Sequence, residues 1–217
     1  MNLREIIEAT LIELDRGTEA DTVAMYAKKF TMYANEAVNE IARRFKACMI
    51  DCTQLLGTEY PGFDITSDDF THACKRITKV LPADYNSDDF SFTVLWDKKP
   101  LHFEQFVHGA PFIHVWGKDG AKAGDYVAVE YLYVPKPMDA DSLNAVDPET
   151  VDSPDLPPHL HELIPLYVRA REQCGQDPSL QGTSNAYFSL FNQKVYQLQR
   201  ETLATPDSFQ FKNYHFE

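Results

Sequence analysis

A chain of 217 residues with 44% hydrophobic and 12% aromatic content can bury a full core and is not a disordered polymer. Its formal net charge of −13 argues against tight nucleic-acid binding, since lysine and arginine on phosphate supply most of that affinity, but it leaves room for a surface that DNA slides past. A solubilising surface charge is the plainer reading. No apolar run reaches the roughly 18 residues of a bilayer span, and Met1-Asn2-Leu3-Arg4-Glu5 lacks the apolar segment of a signal peptide.

Residues 2–15 read as a first helix. Asn2 and Glu5 form a capping-box start, and Leu3, Ile6, Ile7, Leu11 and Leu14 share one face. Gly17 is expected to end it. Thr18 and Asp21 then open a longer helix to Phe45, with an apolar stripe through Val23, Phe30, Tyr33, Ala37 and Ile41. The short connection predicts two antiparallel neighbours.

From Ala47 to Pro137 the helical period is lost. Short runs rich in β-branched and aromatic residues predict strands at 48–56, 76–81, 91–96, 102–106, 112–116 and 126–134, separated by turns such as Asp97–Pro100 and Gly117–Gly120, and hence an antiparallel meander. Ser67, Asp68, Asp69 and Phe70 are compatible with a short helix start inside an ambiguous stretch, 66–75. Residues 138–155 are acidic and read as a surface loop. Asp155-Leu156-Pro157-Pro158 is expected to open a third helix over 156–174, with Asp155 as its cap, followed by a fourth over 183–203. Within the third, Pro165 either kinks the helix or marks where its regular part starts. The fold class expected is α+β. The parts are a helical hairpin at 1–46, a β-rich insertion at 47–137, the acidic loop at 138–155, a second hairpin at 156–203 and an aromatic arm at 204–217.

That arm carries Phe209, Phe211, Tyr214 and Phe216 at non-helical spacing. It reads either as a terminal strand folding back on its own domain, or as an arm that adds a strand to a partner or drops anchors into its pockets.

No constellation in the chain carries chemistry. His159 and His161 are two apart, whereas a zinc-binding helix needs its histidines one turn apart. His102, His108 and His114 recur every six residues without a matched carboxylate or thiolate. Asp68-Asp69 and Asp88-Asp89 are adjacent pairs whose side chains diverge on a strand, so they read as turn residues. Cys48, Cys52, Cys74 and Cys174 read as reduced thiols packed as small apolar groups, and no metal site is expected. No cofactor and no catalytic residue is expected. The competing enzyme reading, a small cytoplasmic enzyme using a His/Asp cluster, rests on these histidines alone. A monomeric binding module is a further alternative.

Three passages resemble the head-to-tail adaptor (connector) proteins of tailed bacteriophages. They are LREIIEATLIELDRG, then YANEAVNEIARRFK, and then YLYVPKPM followed by DLPPHLHELIPLYVRAREQCGQD and YFSLFNQKVYQLQRE. The resemblance covers most of residues 2–203. It implies a helical-bundle core, built of two N-terminal and two C-terminal helices, with an inserted antiparallel β-rich region. It also implies a non-enzymatic virion protein at the neck, made in the host cytoplasm. Such proteins form a ring, usually of twelve copies, under the portal protein; the ring extends the DNA channel and docks the next tail component (stopper, nozzle or tail tube). DNA passes without specific binding, helped by an acidic channel. A tail-completion or ring protein lower in the same channel is the nearest alternative. The aromatic residues at 209, 211, 214 and 216 become candidate contacts to the portal or to a neighbouring copy.

Overall fold

The structure, a computed structural model, describes residues 1–105, 110–116, 121–145, 147–176 and 181–203. The chain divides into two compact units, one of residues 1–41 with 137–217 and one of residues 42–136.

In the first unit, helix α1 spans Leu3–Glu13 and helix α2 begins at Ala20, running to Phe45. The expected capping box is present: Asn2 Oδ1 accepts the Glu5 N–H and Glu5 Oε2 accepts the Asn2 N–H, both at 3.0 Å. The stop of α1 differs from expectation. Asp15, not Gly17, takes the left-handed conformation (φ 53°), and the Arg16 N–H closes back on the Leu11 carbonyl at 2.9 Å. Aspartate is among the few non-glycine residues that tolerate this conformation, so it can end a helix where glycine is usually sought.

The third helix, α3, spans Leu163–Gln176, and the fourth, α4, spans Gln181–Leu203. Asp155 therefore does not cap α3. A 3-10 turn at Pro158–Leu160 comes first, and the regular helix starts seven residues later than predicted. Pro165 then falls in the first turn of α3, where its missing N–H has no helical partner to lose. The acidic segment is a structured link and not merely a surface loop. It holds 3-10 turns at Ala140–Asn144 and Pro148–Thr150, and Met138, Leu143 and Val151 are buried. Its aspartates serve the backbone: Asp152 Oδ2 accepts the Asp139 N–H at 2.6 Å, and Asp139 Oδ1 accepts the Asp141 N–H at 2.9 Å.

The four helices do not form the expected helical-bundle core. The close helix pairs among the described residues are α1 with α3 and α3 with α4. An apolar stripe specifies that a helix is buried, not what covers it. The fold is mixed α+β, with a large share of the buried apolar side chains lying on sheets.

The second unit holds those sheets. Strands β1 (Cys48–Gln54), β3 (Cys74–Asn86), β4 (Ser91–Val94) and β7 (Tyr126–Tyr133) form an antiparallel sheet in the order β1-β7-β3-β4. Strands β2 (Gly62–Asp64), β5 (Phe103–Glu104) and β6 (Phe112–Val115) form a second, in the order β2-β6-β5. Every pairing among the described residues is antiparallel, but the order is no meander: β1 and β3 both pair with β7, far along the chain. The stretch 66–73 is turns rather than a helix, residues 74 and 75 already belong to β3, and β3 is twice as long as predicted, with two register shifts. Strand β2 was not predicted; at three residues it is too short to show a period. Gly62 within it is obligatory, since an added Cβ would collide with the Ile113 carbonyl and the Phe112 ring. Leu55, Phe63, Val80, Val127, Val129 and Tyr131 are at the centre of this core, each stabilising it by about 1.5–3 kcal/mol through burial.

Candidate interaction surfaces

The predicted anchors Phe209, Phe211, Tyr214 and Phe216 lie outside the described residues, as do His108 and the Gly117–Gly120 turn. The other histidines are dispersed. His102 leads into β5 and His114 sits on β6, opposite Glu104; His159 is exposed in a 3-10 turn, while His161 is buried. Among the described residues, no cluster of His, Cys, Asp and Glu could hold a metal ion. Asp69 accepts the Thr53 hydroxyl at 2.6 Å and Asp89 accepts the Ser91 backbone N–H at 3.1 Å, so both aspartate pairs are tied into local structure.

Cys48, Cys52 and Cys74 are free and half-buried. Burial, then the carboxylates of Asp69 and Asp51, pushes the Cys52 thiol up to about 12, and burial likewise raises Cys48 and Cys74. These are thiols, not thiolates, at neutral pH, and unsuited to nucleophilic work.

His161 is neutral for the same reason. Its Nε2 donates to the Leu156 carbonyl at 2.8 Å, its Nδ1 lies 3.3 Å from the Met1 amino group, and burial first of all holds its pKa below the ordinary 6.5. The unfolded chain therefore binds this proton more readily than the folded one. The stabilisation is complete above about pH 6.5 and is lost as pH falls toward the depressed value. Replacing His161 with glutamine is expected to flatten the acid side of a stability–pH curve recorded by urea unfolding. An unchanged slope between about pH 7 and 5 would show that His161 does not set it.

Two polar clusters give the first unit its specificity. On α2, Asn35 grips the backbone of Met138 from both sides: Asn35 Oδ1 accepts the Met138 N–H and Asn35 Nδ2 donates to the Met138 carbonyl, each at 2.9 Å. A primary amide matches a peptide group in both donor and acceptor, so the helix holds the chain as a neighbouring strand would. Asn35→Ala is expected to cost about 2 kcal/mol, and Asn35→Asp nearly as much, because a carboxylate repels the carbonyl it replaces a donor to. Denaturant midpoints measure both, and an aspartate variant as stable as the wild type would contradict this account.

The second cluster is ionic. Glu172 of α3 is 1% exposed; it takes Lys29 of α2 at 2.6 Å and Arg16 at 3.5 Å. Next to it, Arg171 Nε donates to Glu36 of α2 at 2.9 Å and its guanidinium lies 5.4 Å from the Tyr33 ring centre. Arg169 Nη1 reaches Glu13 at 3.4 Å and Nη2 the Tyr187 hydroxyl of α4 at 3.1 Å. Sequence reading did not single out these residues; a Lys29–Glu172 pair is not visible at a separation of so many positions.

The passages that carried the resemblance thus meet in space. Asn35 and Glu36 come from the second, Met138, Arg171 and Glu172 from the third, and Glu13 and Arg16 from the first. A family model described as SU10 adaptor protein matches residues 1–209. The chain belongs to that family. An SU10 adaptor protein is a structural component of a bacteriophage virion, and the family is not one of enzymes. No curated protein matches the sequence. No helix among the described residues of this adaptor is long and apolar enough to cross a membrane.

What such a protein offers is surface. Large apolar side chains stand exposed at Met25 and Met32 on α2, at Phe90 beside the β3–β4 turn, at Trp96, and at Leu190 and Tyr196 on α4. Phe90 is 79% exposed and takes the left-handed conformation (φ 55°), which an aromatic residue rarely adopts.

Proposed function

We propose that this adaptor forms a ring, of twelve copies, beneath the portal of a tailed phage, where it extends the DNA channel and docks the next component of the tail. The family match over residues 1–209 carries this reading. The net charge of −13 agrees with it, because a negatively charged passage repels the DNA backbone and lets it slide. Residues 204–217, with Phe209, Phe211, Tyr214 and Phe216, act as an arm to the portal or to the neighbouring copy.

Quantitative mass spectrometry of purified particles tests the placement. A copy number equal to the portal's is expected, and absence from the particle would end this reading. Deleting residues 205–217 tests the arm: attachment to the portal should be lost while helical circular dichroism is retained, and unchanged attachment would exclude the arm.

A further inference from the structure

The β3–β4 hairpin is charged unevenly along its length. From Phe70 to Ala83 the chain carries Lys75, Arg76 and Lys79 and no carboxylate side chain; from Val80 to Asp97 it carries Asp84, Asp88, Asp89 and Asp97 and no lysine or arginine. Strand β3 is 13 residues long, so its cationic start and the acidic tip of the hairpin lie roughly 40 Å apart at about 3.3 Å per residue.

The tip presents Phe90, 79% exposed and left-handed (φ 55°). Side chains of the turn hold it in shape: Asn86 Oδ1 accepts the Asp88 N–H at 3.0 Å, and Asp89 Oδ1 accepts the Ser91 hydroxyl at 2.7 Å. Strained residues of this kind cluster at contact sites, and a ring already fixed in place loses little freedom when it docks. Asp88 and Asp89 are exposed beside it. Asp84 lies further back, in a cleft that Lys98 and Lys99 also line, so the excess of acid belongs to Asp88 and Asp89.

At the start of β3 the register sets Arg76, Leu132 and Cys48 in one row and Lys79, Glu130 and Ile50 in the next, on one face of the sheet. Ile77, Tyr131 and Met49 take the opposite face and pack on the core. On the outer face Cys48, Ile50 and Leu132 are half-buried, while Lys75, Arg76 and Lys79 are exposed, as is Lys46 just ahead of β1. Glu130 is the carboxylate of these rows. It lies 3.6 Å from Lys79 and accepts the Thr78 hydroxyl, which leaves Lys46, Lys75 and Arg76 in excess. Asp51, next along β1, turns to the Tyr131 hydroxyl on the core side. An apolar strip with a cationic margin matches an aromatic ring flanked by carboxylates. A DNA backbone would use the cations and leave the strip in water.

We propose that the acidic, Phe90-bearing tip of the β3–β4 hairpin in one copy seats on the cationic strip of the next copy. This rests on the ring proposed above and supplies its copy-to-copy contact. The two surfaces are at opposite ends of one sheet, so a copy cannot satisfy itself. Two different surfaces meeting head to tail generate a closed ring, whereas a self-complementary contact stops at a dimer.

The test reverses the charge of each surface in the full-length chain. One variant carries Asp88→Lys with Asp89→Asn, the asparagine keeping the oxygen that Ser91 uses; the other carries Lys75→Glu with Arg76→Glu. Each is added to adaptor-free, portal-bearing particles, and bound copies are counted by quantitative mass spectrometry, with circular dichroism as the check of fold. Either variant alone should bind about tenfold less or worse, because like charges then meet at every contact. A one-to-one mixture should restore the parent's count, since the reversed tip fits the reversed strip and the two unreversed surfaces fit each other. Phe90→Asn keeps a residue that tolerates the left-handed conformation and should stay folded while binding falls similarly. A charge variant that assembles alone as the parent does would overturn the proposal, and so would a mixture no better than its components. Unchanged assembly of Phe90→Asn would overturn it whatever the charge variants do. If only the strip variant fails, and packaged DNA is lost with it, the cations serve DNA instead. If the unsubstituted chain does not gather on portals at all, it is the ring itself that falls.

Discussion

Tyr131→Ala is expected to destabilise the sheet unit by about 4 kcal/mol, a large part of the 5–15 kcal/mol that a domain of this size has in reserve. The ring is 0% exposed, at the centre of the core. It packs edge-on against Phe70 at 5.4 Å. Its hydroxyl donates to Asp51 Oδ2 at 2.6 Å and accepts the His72 N–H at 3.3 Å. Asp51 in turn accepts the Thr71 N–H at 2.8 Å and the Thr71 hydroxyl at 2.9 Å. Alanine thus opens a cavity and removes the group that joins β1 and the 71–72 turn to β7. Burial, reinforced by the Asp51 carboxylate, raises the phenol's pKa, so it is a donor at neutral pH. Tyr131→Phe keeps the ring and should cost only about 1–2 kcal/mol, the share of the hydrogen bonds. Urea unfolding of both variants separates the two terms. A phenylalanine variant as unstable as the alanine one would mean that packing is not the larger.

Glu172→Gln is expected to cost about 2–3 kcal/mol. Removing one partner of a buried ion pair leaves the other charge uncompensated, which costs about 3–5 kcal/mol when the site is closed. Here Lys29 and Arg16 are partly exposed and can turn toward water, which lowers the figure. Neutralising the carboxylate also leaves two cations facing each other. The double change Lys29→Met with Glu172→Leu should recover most of the loss, because apolar residues of similar volume replace a buried pair with little net effect. Thermal unfolding of the three chains decides this. If the double variant is no more stable than Glu172→Gln, charge is not the cause of the loss. Added salt should narrow the gap between Glu172→Gln and the wild type by screening the two cations.

What the sequence disclosed depended on how local each signal was. Helix α1 was legible down to its capping box, because Asn2 and Glu5 act within one turn. Six of the seven strands among the described residues were legible from their β-branched and aromatic runs, though β3 continued through Pro82 and Asp84 to Asn86. The sheet order was not legible. Cys48 pairs with Leu132, and nothing near Cys48 announces a partner so distant. The bundle expectation failed for a related reason: the stripe on α2 shows what is buried and not against which element. The start of α3 was misplaced because Asp155-Leu156-Pro157-Pro158 satisfies the rules for a helix start while building a 3-10 turn. On the functional side, the resemblance led to the right family without showing why its passages matter. Asn35, Glu36, Arg171 and Glu172 carry no local signal in the sequence, and only the fold brings them onto their partners.

The first compact unit is assembled from both ends of the chain, residues 1–41 and 137–217, with the sheets encoded between them. During synthesis, α1 leaves the ribosome long before α3 exists to cover it. At about 5–20 residues per second the wait is on the order of ten seconds. Throughout that interval Ile6, Ile7 and Leu11 of α1 have no α3 to pack on, while the sheet unit, continuous in sequence, can complete itself as soon as β7 emerges. The order of birth is therefore sheets first and helices last. The nascent chain spends its most adhesive period with the apolar face of α1 uncovered, next to other ribosomes making the same protein. A host chaperone that shields such a face would raise the yield of assembly-competent subunits without touching the finished fold.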